Sequence, residues 1–263
     1  MRIGIGSWTY PWSIGVPGYP QPDLPLAASG LIGRARELGV GVVQIADNLP
    51  LRLGDLEGLS IEGIEIEVGT RGTEEANLLE YLEIARVLGA RLLRTMIDTN
   101  LNTAKAQIRK VLPAFERAGV AIAIENYERH ATRDLAAFVL GYGSPFLGVC
   151  LDTVNSLGAL ETPEQAVERL APHVLSLHVK DFDIERVPSK MGFHVVGRPA
   201  GSGRLDVPWI LSRLTERGRS PNLIVELWTP WAETLDRTIA IERDWARRSV
   251  EYLKTLDGPK EMG

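Results

Sequence analysis

The sequence predicts an α/β fold, a (β/α)8 TIM barrel folded as a single domain over residues 1–263. Three observations carry that expectation. Short runs rich in Ile, Val and Leu alternate eight times with segments of mostly helical period. The length of 263 residues matches one barrel of about 250 residues. The main competitor, an open doubly wound sheet, lacks its mark: GIGSW at 4–8 has no following GxxG and runs into Pro11, Trp12 and Pro17 rather than a helix, and no P-loop pattern occurs.

The strands are expected, in order, at RIGIGSW (2–8), GVVQIAD (41–47), IEGIEIEVG (61–69) and RLLRTMID (91–98). VAIAIEN (120–126), FLGVCLDTV (146–154), VLSLHVKDF (174–182) and NLIVELW (222–228) complete the eight. Helices are expected within 31–39, 76–89, 102–119, 134–142, 163–172, 206–218 and 235–256. Gly39, Gly89, Gly119 and Gly218 stand where a helix end requires a left-handed residue. The segment RLGDLEGLS (52–60) is too short for a full helix, which makes the second unit the weakest. The tail DGPKEMG (257–263) reads as a frayed end.

Composition excludes several function classes. A net charge of −5 argues against a nucleic-acid partner, whose phosphates call for a basic surface. No run approaches the roughly 18 apolar residues of a membrane span, and MRIGIGSWTYPW lacks a signal-peptide pattern. The single cysteine, Cys150, forbids an internal disulfide and suits a cytoplasmic, reducing setting. Inside LGVCLD it reads as a small buried side chain rather than a nucleophile. A homo-oligomer is left open.

Strand parity locates a candidate site. In a barrel, alternate residues face the helices or the interior. If Ile122, Ile124, Val149, Leu151, Leu175, Leu177, Val179, Leu223, Val225 and Leu227 face the helices, then Glu125, Asp152, His178 and Glu226 face inward. Each of these four stands near the C-terminal end of its strand, where barrel enzymes keep their chemistry. Converging carboxylates repel one another unless a cation neutralises them, and three carboxylates with one imidazole suit a hard or borderline divalent ion. Separate structural salt bridges are the alternative, and four strand ends at one depth fit it poorly.

The segments AIENY, VCLDTVN, LHVKD and VELW, with GSGRLDVPWI (201–210), resemble the xylose-isomerase-like TIM-barrel superfamily of sugar isomerases and epimerases. The resemblance spans the chain but rests on its C-terminal half. It implies that Glu125, Asp152, His178 and Glu226 bind one divalent metal ion (Mn2+, Mg2+, Co2+ or Zn2+). It also implies that Glu125 and Glu226 act as the catalytic acid/base pair on opposite faces of a ketose. Two departures stand out. Asn155 occupies the position where many relatives carry a histidine. The four histidines, of which only His178 ends a strand, do not supply the trinuclear zinc cluster of the endonuclease branch.

Other residues are candidates for substrate binding. Trp8 and Trp228 could stack on sugar C–H faces, as could Tyr10, Trp12 and Trp231 if they are not packing residues. Lys180 follows His178 on the same face, where it reaches substrate or pairs with Asp152 or Glu125. Asn155 and Arg204 complete the expected substrate-binding set. Glu67 and Arg94 are expected to form a structural ion pair, with one of them able to reach a substrate hydroxyl as the alternative, and Asp181 and Asp183 to orient His178 or cap the next loop. The stretch 183–203 is too long for a plain connector and reads as a lid, with Arg186, Lys190, His194 and Arg198 as further candidates.

A divalent ion on a substrate carbonyl acidifies the neighbouring C–H and favours an enediolate. Returning the proton gives isomerisation or epimerisation of a ketose or keto-sugar, the first expectation. Loss of a β-substituent gives a lyase or dehydratase acting on a keto-sugar or keto-cyclitol, the alternative. A non-catalytic sugar-binding barrel is the third.

Overall fold

The apolar runs close into a parallel barrel with helices outside. The computed structural model describes residues 1–256, so the tail read as frayed lies outside the described residues. The strands are β1 (Ile3–Gly6), β2 (Val42–Ile45), β3 (Glu65–Gly69), β4 (Leu92–Met96) and β5 (Ala121–Glu125). They continue with β6 (Leu147–Asp152), β7 (Val174–Val179), β8 (Asp181–Arg186), β9 (Phe193–Arg198) and β10 (Asn222–Val225). The closed sheet runs β1-β10-β7-β6-β5-β4-β3-β2, while β8 and β9 form a separate antiparallel hairpin.

The helices are α1 (Pro11–Ile14), α2 (Ala28–Glu37), α3 (Glu75–Val87) and α4 (Leu101–Ala118). After them come α5 (Thr132–Leu140), α6 (Pro163–Leu170), α7 (Val207–Glu216) and α8 (Leu235–Leu256). Local chemistry sets several ends. Asn100 caps α4 by accepting from the Thr103 N–H, and Thr162 with Gln165 makes a capping box at α6. Gly39, Gly89, Gly119 and Gly218 all have φ between 61° and 69°, as their places after helices demand. The second unit has only a 3-10 turn, Leu53–Leu56, matching its weak sequence signal.

The outward strand face packs on the helices. Ile122, Val149, Leu177 and Val225 are fully buried together with Ile108 and Phe115 of α4. Each such side chain contributes about 1.5–3 kcal/mol, and Ile108→Ala is expected to cost about 2–5 kcal/mol. The inside is tight at its base. A Cβ added to Gly4 would lie 2.7 Å from Val42 Cβ and 3.0 Å from Ile224 Cδ1, so glycine there makes room for Ile224.

The structure differs from the sequence reading in four places. VLSLHVKDF is not one strand: β7 ends at Val179, and β8 begins at Asp181 in a different sheet. The long stretch after Phe182 is largely a hairpin, made of the rest of β8, a turn and β9, in which Val195 pairs with Ile184. Leu175 does not face the helices. A bulge pairs Val149 with Val174 and Cys150 with Ser176, and the extra residue, Leu175, packs on Leu92, Ala123 and Cys150. Finally, Pro11 opens the short α1, where its missing N–H costs nothing.

Candidate active site

Register brings the predicted residues to one level. Glu125 and Asp152 end β5 and β6, His178 pairs with Asp152 across β6 and β7, and Glu226 follows β10. All four are buried at the C-terminal mouth, with exposures of 0–3%.

His178 is oriented from below. Its Nε2 lies 2.8 Å from Gln44 Oε1 and 3.1 Å from Cys150 Sγ. Gln44 Nε2 donates to Glu67 Oε2 at 2.8 Å, which leaves Oε1 to accept from the imidazole. The network therefore assigns the proton of the neutral ring to Nε2 and turns the Nδ1 lone pair toward the mouth. Glu67 is anchored further by Ser176 Oγ at 3.0 Å and Asn222 Nδ2 at 2.8 Å. Burial pushes the Glu67 carboxyl up, and these donors act against the shift. Burial likewise raises the Cys150 thiol to about 11, so it is a neutral neighbour of the ring.

Nδ1 of His178 faces acids on three sides. Glu226 Oε1 is 3.1 Å away, Glu125 Oε2 3.5 Å and Asp152 Oδ2 3.8 Å. Burial opposes charge on this ring, yet the acidic groups around it push its pKa well above the ordinary imidazole value. The position demands a positive charge, supplied by a proton or by a metal. Among the described residues, Asp152 Oδ2, His178 Nδ1 and Glu226 Oε1 are buried without hydrogen-bond partners. One ligand atom from each of Asp152, His178 and Glu226 lies within 4.8 Å of the others, and Glu125 forms an overlapping group with Cys150 and His178. Three orphaned donor atoms of hard or borderline character, converging on one point, fit a divalent cation.

Two bases share the mouth with these acids. Lys180 Nζ is 2.7 Å from Asp152 Oδ2, an ion contact off the hydrogen-bonding directions, and 2.9 Å from Glu226 Oε2. The other Asp152 oxygen accepts from the N–H groups of Val154 and Asn155, both at 2.8 Å. Burial alone would raise the Asp152 pKa, but Lys180 and His178 outweigh it and hold the carboxyl well below its usual range. Arg94 donates from Nε to Glu125 and from Nη1 to Asp47 Oδ1 at 2.7 Å. Burial disfavours both cations, and the carboxylates around them more than offset it, so both remain charged. The other Glu125 oxygen accepts from Asn155 Nδ2 at 2.9 Å.

Above this layer opens a cleft of about 220 Å3, lined by Glu125, Glu226, Asn155, Lys180, Trp8 and Trp228 among others. Trp8 donates to Asp47 Oδ1 at 3.3 Å, and Lys180 Nζ sits 5.0 Å from the Trp228 ring centre. A larger groove of about 460 Å3, lined by Met1, Leu211, Leu253 and Leu256, has no acidic or basic side chain among the described residues.

The structure thus gathers Glu125, Asp152, His178, Glu226, Lys180, Asn155, Trp8 and Trp228. It does not gather Arg204, whose Nε pairs with Asp183 Oδ1 at 2.6 Å and which is not in the cleft lining. Of the other hairpin bases, Arg198 pairs with Glu185, Arg186 donates to the Lys190 carbonyl and His194 lies 3.6 Å from Glu185, and neither these nor Lys190 line the cleft. Asp181 does not orient His178. It accepts from the N–H groups of Phe182, Gly203 and Leu205 and so caps the loop after the hairpin. Trp12 and Trp231 pack with Tyr19, ring centres 4.9–5.4 Å apart. The expected Glu67–Arg94 pair is absent. Arg94 stands level with Gly69 and Ala123, one interior layer above Glu67, and reaches Glu125 and Asp47 instead. Sequence reasoning missed Gln44, whose interior parity was its only signal, and Asp47 and Arg71, which had none.

Comparison with known proteins agrees with this architecture. The family model described as xylose isomerase-like TIM barrel matches residues 30–256. A 3-oxo-isoapionate decarboxylase of Pectobacterium atrosepticum is 36% identical over 97% of this chain and 96% of its own length. Among solved structures, a D-psicose 3-epimerase determined in the presence of D-fructose superposes with a TM-score of 0.72 at 16% identity, covering 98% of this chain and 100% of that one. A xylose isomerase-like barrel from Mycobacterium smegmatis in complex with magnesium gives 0.68 at 16% identity, covering 95% and 97%. The last two likenesses are of fold.

Proposed function

This chain belongs to the xylose isomerase-like TIM barrel family, and on that footing we infer that it is a metal-dependent lyase releasing carbon dioxide from a keto-sugar acid. One observation carries the choice of lyase over epimerase. Glu125 is held between Arg94 on one oxygen and Asn155 on the other, which fixes it in place while leaving a lone pair on each oxygen for a cation. An epimerase needs a mobile proton carrier on each face of its substrate, whereas decarboxylation needs one proton returned to one carbon. The 36% identical decarboxylase supports the same choice.

Asp152, His178, Glu226 and Glu125 would hold the cation. Bound there, it would supply a Lewis acid for a substrate carbonyl. The remaining steps fall to the chain's own residues. Asn155 and Glu125 orient hydroxyl groups, and Trp8 with Trp228 limits water. When the bond between carbon and carboxylate breaks, its electron pair moves into the carbonyl, giving an enediolate and CO2. Lys180 Nζ, buried and lining the cleft, then gives a proton to the carbon and recovers one from water. The ligand is a small sugar-derived molecule, and the acidic chain with one cysteine suits a cytoplasmic setting.

Epimerisation of a ketose is the second reading, favoured by the presence of both Glu125 and Glu226 in the cleft lining. The test is incubation of metal-loaded protein with 3-oxo-isoapionate and, separately, with neutral ketoses in D2O. One CO2 per oxo acid is expected. Deuterium entering a ketose without CO2 from the oxo acid would overturn the lyase reading in favour of epimerisation.

A further inference from the structure

One wall of the cleft carries a cation that nothing above employs. Arg71 follows β3 on a loop pinned at each residue. The Thr70 N–H donates to the Arg94 carbonyl at 2.9 Å, and the Gly72 N–H to the Met96 carbonyl at 3.0 Å. Asn77 Nδ2 donates to the Arg71 carbonyl at 3.0 Å, and Thr95 Oγ1 to that of Gly72 at 2.6 Å. Gly72 has φ +88°, a conformation that side-chain-bearing residues adopt at a cost, and it fixes the loop's path.

The side chain itself is uncommitted. Among the described residues, the Arg71 guanidinium donates no hydrogen bond and meets no carboxylate, whereas Arg94 and Lys180 are each held by two acids. Arg71 is exposed, and its guanidinium carbon rests 5.7 Å from the ring centre of the buried Tyr127, a cation–π contact beside the cleft. It lines the same cleft as Glu125, Asn155, Lys180 and Glu226. The other two bases of the cleft lining, Arg94 and Lys180, are each paired with two acids, so Arg71 is the base left to meet an anion. Its planar fork of N–H donors matches a carboxylate through two parallel hydrogen bonds. The cleft of about 220 Å3 has room for a small sugar acid.

We propose that Arg71 is the carboxylate anchor of this cleft, binding the acid group of a sugar acid while the sugar's oxygens face the Glu125–Asp152–His178–Glu226 layer. The proposal rests on the lyase reading for the identity of the substrate. The contact itself can be tested with inert ligands.

The experiment is calorimetric titration of the metal-loaded protein with D-ribonate and with ribitol, which replaces the carboxylate by CH2OH. Wild type, Arg71→Met and Arg71→Lys are compared, with circular dichroism and metal content as controls for folding. Wild type is expected to prefer ribonate. Arg71→Met is expected to lose about 10- to 100-fold in ribonate affinity, the worth of hydrogen bonds to a charged group, with ribitol unchanged. Arg71→Lys should fall between, keeping the charge without the fork. A ribonate preference that survives in Arg71→Met, an equal loss for both ligands, or no ribonate binding by wild type at millimolar concentration would overturn the proposal.

The two claims fail separately. CO2 release with binding indifferent to Arg71 would remove the anchor and leave the reaction standing. Arg71-dependent ribonate binding without CO2 release would do the reverse.

Discussion

His178 Nε2 lies 2.8 Å from the amide oxygen of Gln44, and that contact decides which ring nitrogen faces the mouth. Gln44 cannot rotate its amide freely, because its other end donates to Glu67 at 2.8 Å. A buried Glu67–Gln44 pair on β3 and β2, across the barrel from β7, thus sets the tautomer of an imidazole whose Nδ1 points at three acids. Such partners raise the basicity of a metal-binding histidine and hold its ring plane.

Replacing Gln44 with Leu should therefore weaken the metal site without touching a ligand. A fall of about 10- to 100-fold in Mn2+ affinity is expected by calorimetry, with circular dichroism unchanged. Wild-type affinity in Gln44→Leu would show that the tautomer is set otherwise.

Lys180 has two distinguishable effects. In metal-loaded protein with the oxo acid as substrate, Lys180→Met should lower kcat by about 10^2- to 10^4-fold, the usual worth of a positioned acid, while metal content stays the same. In chelated protein the same change leaves Asp152 and Glu226 buried without their cation, and a loss of about 3–5 kcal/mol in urea unfolding is expected. A kcat within threefold of wild type would remove Lys180 from the chemistry.

Glu242 on α8 gives a pH dependence remote from the metal site. Its carboxylate accepts from the N–H groups of Trp12 and Ser13 at 2.7 and 3.1 Å and from Ser13 Oγ at 2.6 Å. Burial outweighs these donors and raises its pKa from 4.5 to about 7. The folded protein then holds a proton that the unfolded chain has lost, so the contribution is complete below about pH 4.5 and lost as pH rises through about 7. The linked change is on the order of 3 kcal/mol. Urea midpoints between pH 5 and 8 should fall more in wild type than in Glu242→Gln. Parallel curves would contradict the shift.

Much of this site was legible because a strand's period of two leaves little freedom. Once Ile122, Ile124, Val149 and Leu151 are assigned to the helices, Glu125 and Asp152 must face inward. Leu175 broke the rule because a bulge adds one residue without any mark in composition. The hairpin arm FHVVGR was hidden by its own short alternation, which reads equally well as a loop between a turn and GSG. Arg94 had acids of compatible parity on either side, and strand parity cannot choose between them. The stagger of β3, β4 and β5 does, by lifting Arg94 one layer above Glu67. Arg71 was illegible because its significance lies in what it does not touch, which only the folded neighbourhood reveals.

The central claim is that Asp152, His178, Glu226 and Glu125 hold one divalent ion. The most direct measurement is metal content by plasma mass spectrometry on protein purified without chelator, then soaked with Mn2+ and desalted, beside Asp152→Asn handled identically. The account expects about one equivalent of divalent metal in wild type and a large loss in the variant. No retained metal in wild type after the soak would contradict it and leave Lys180 and Arg94 as the permanent counterions of a sugar-binding barrel.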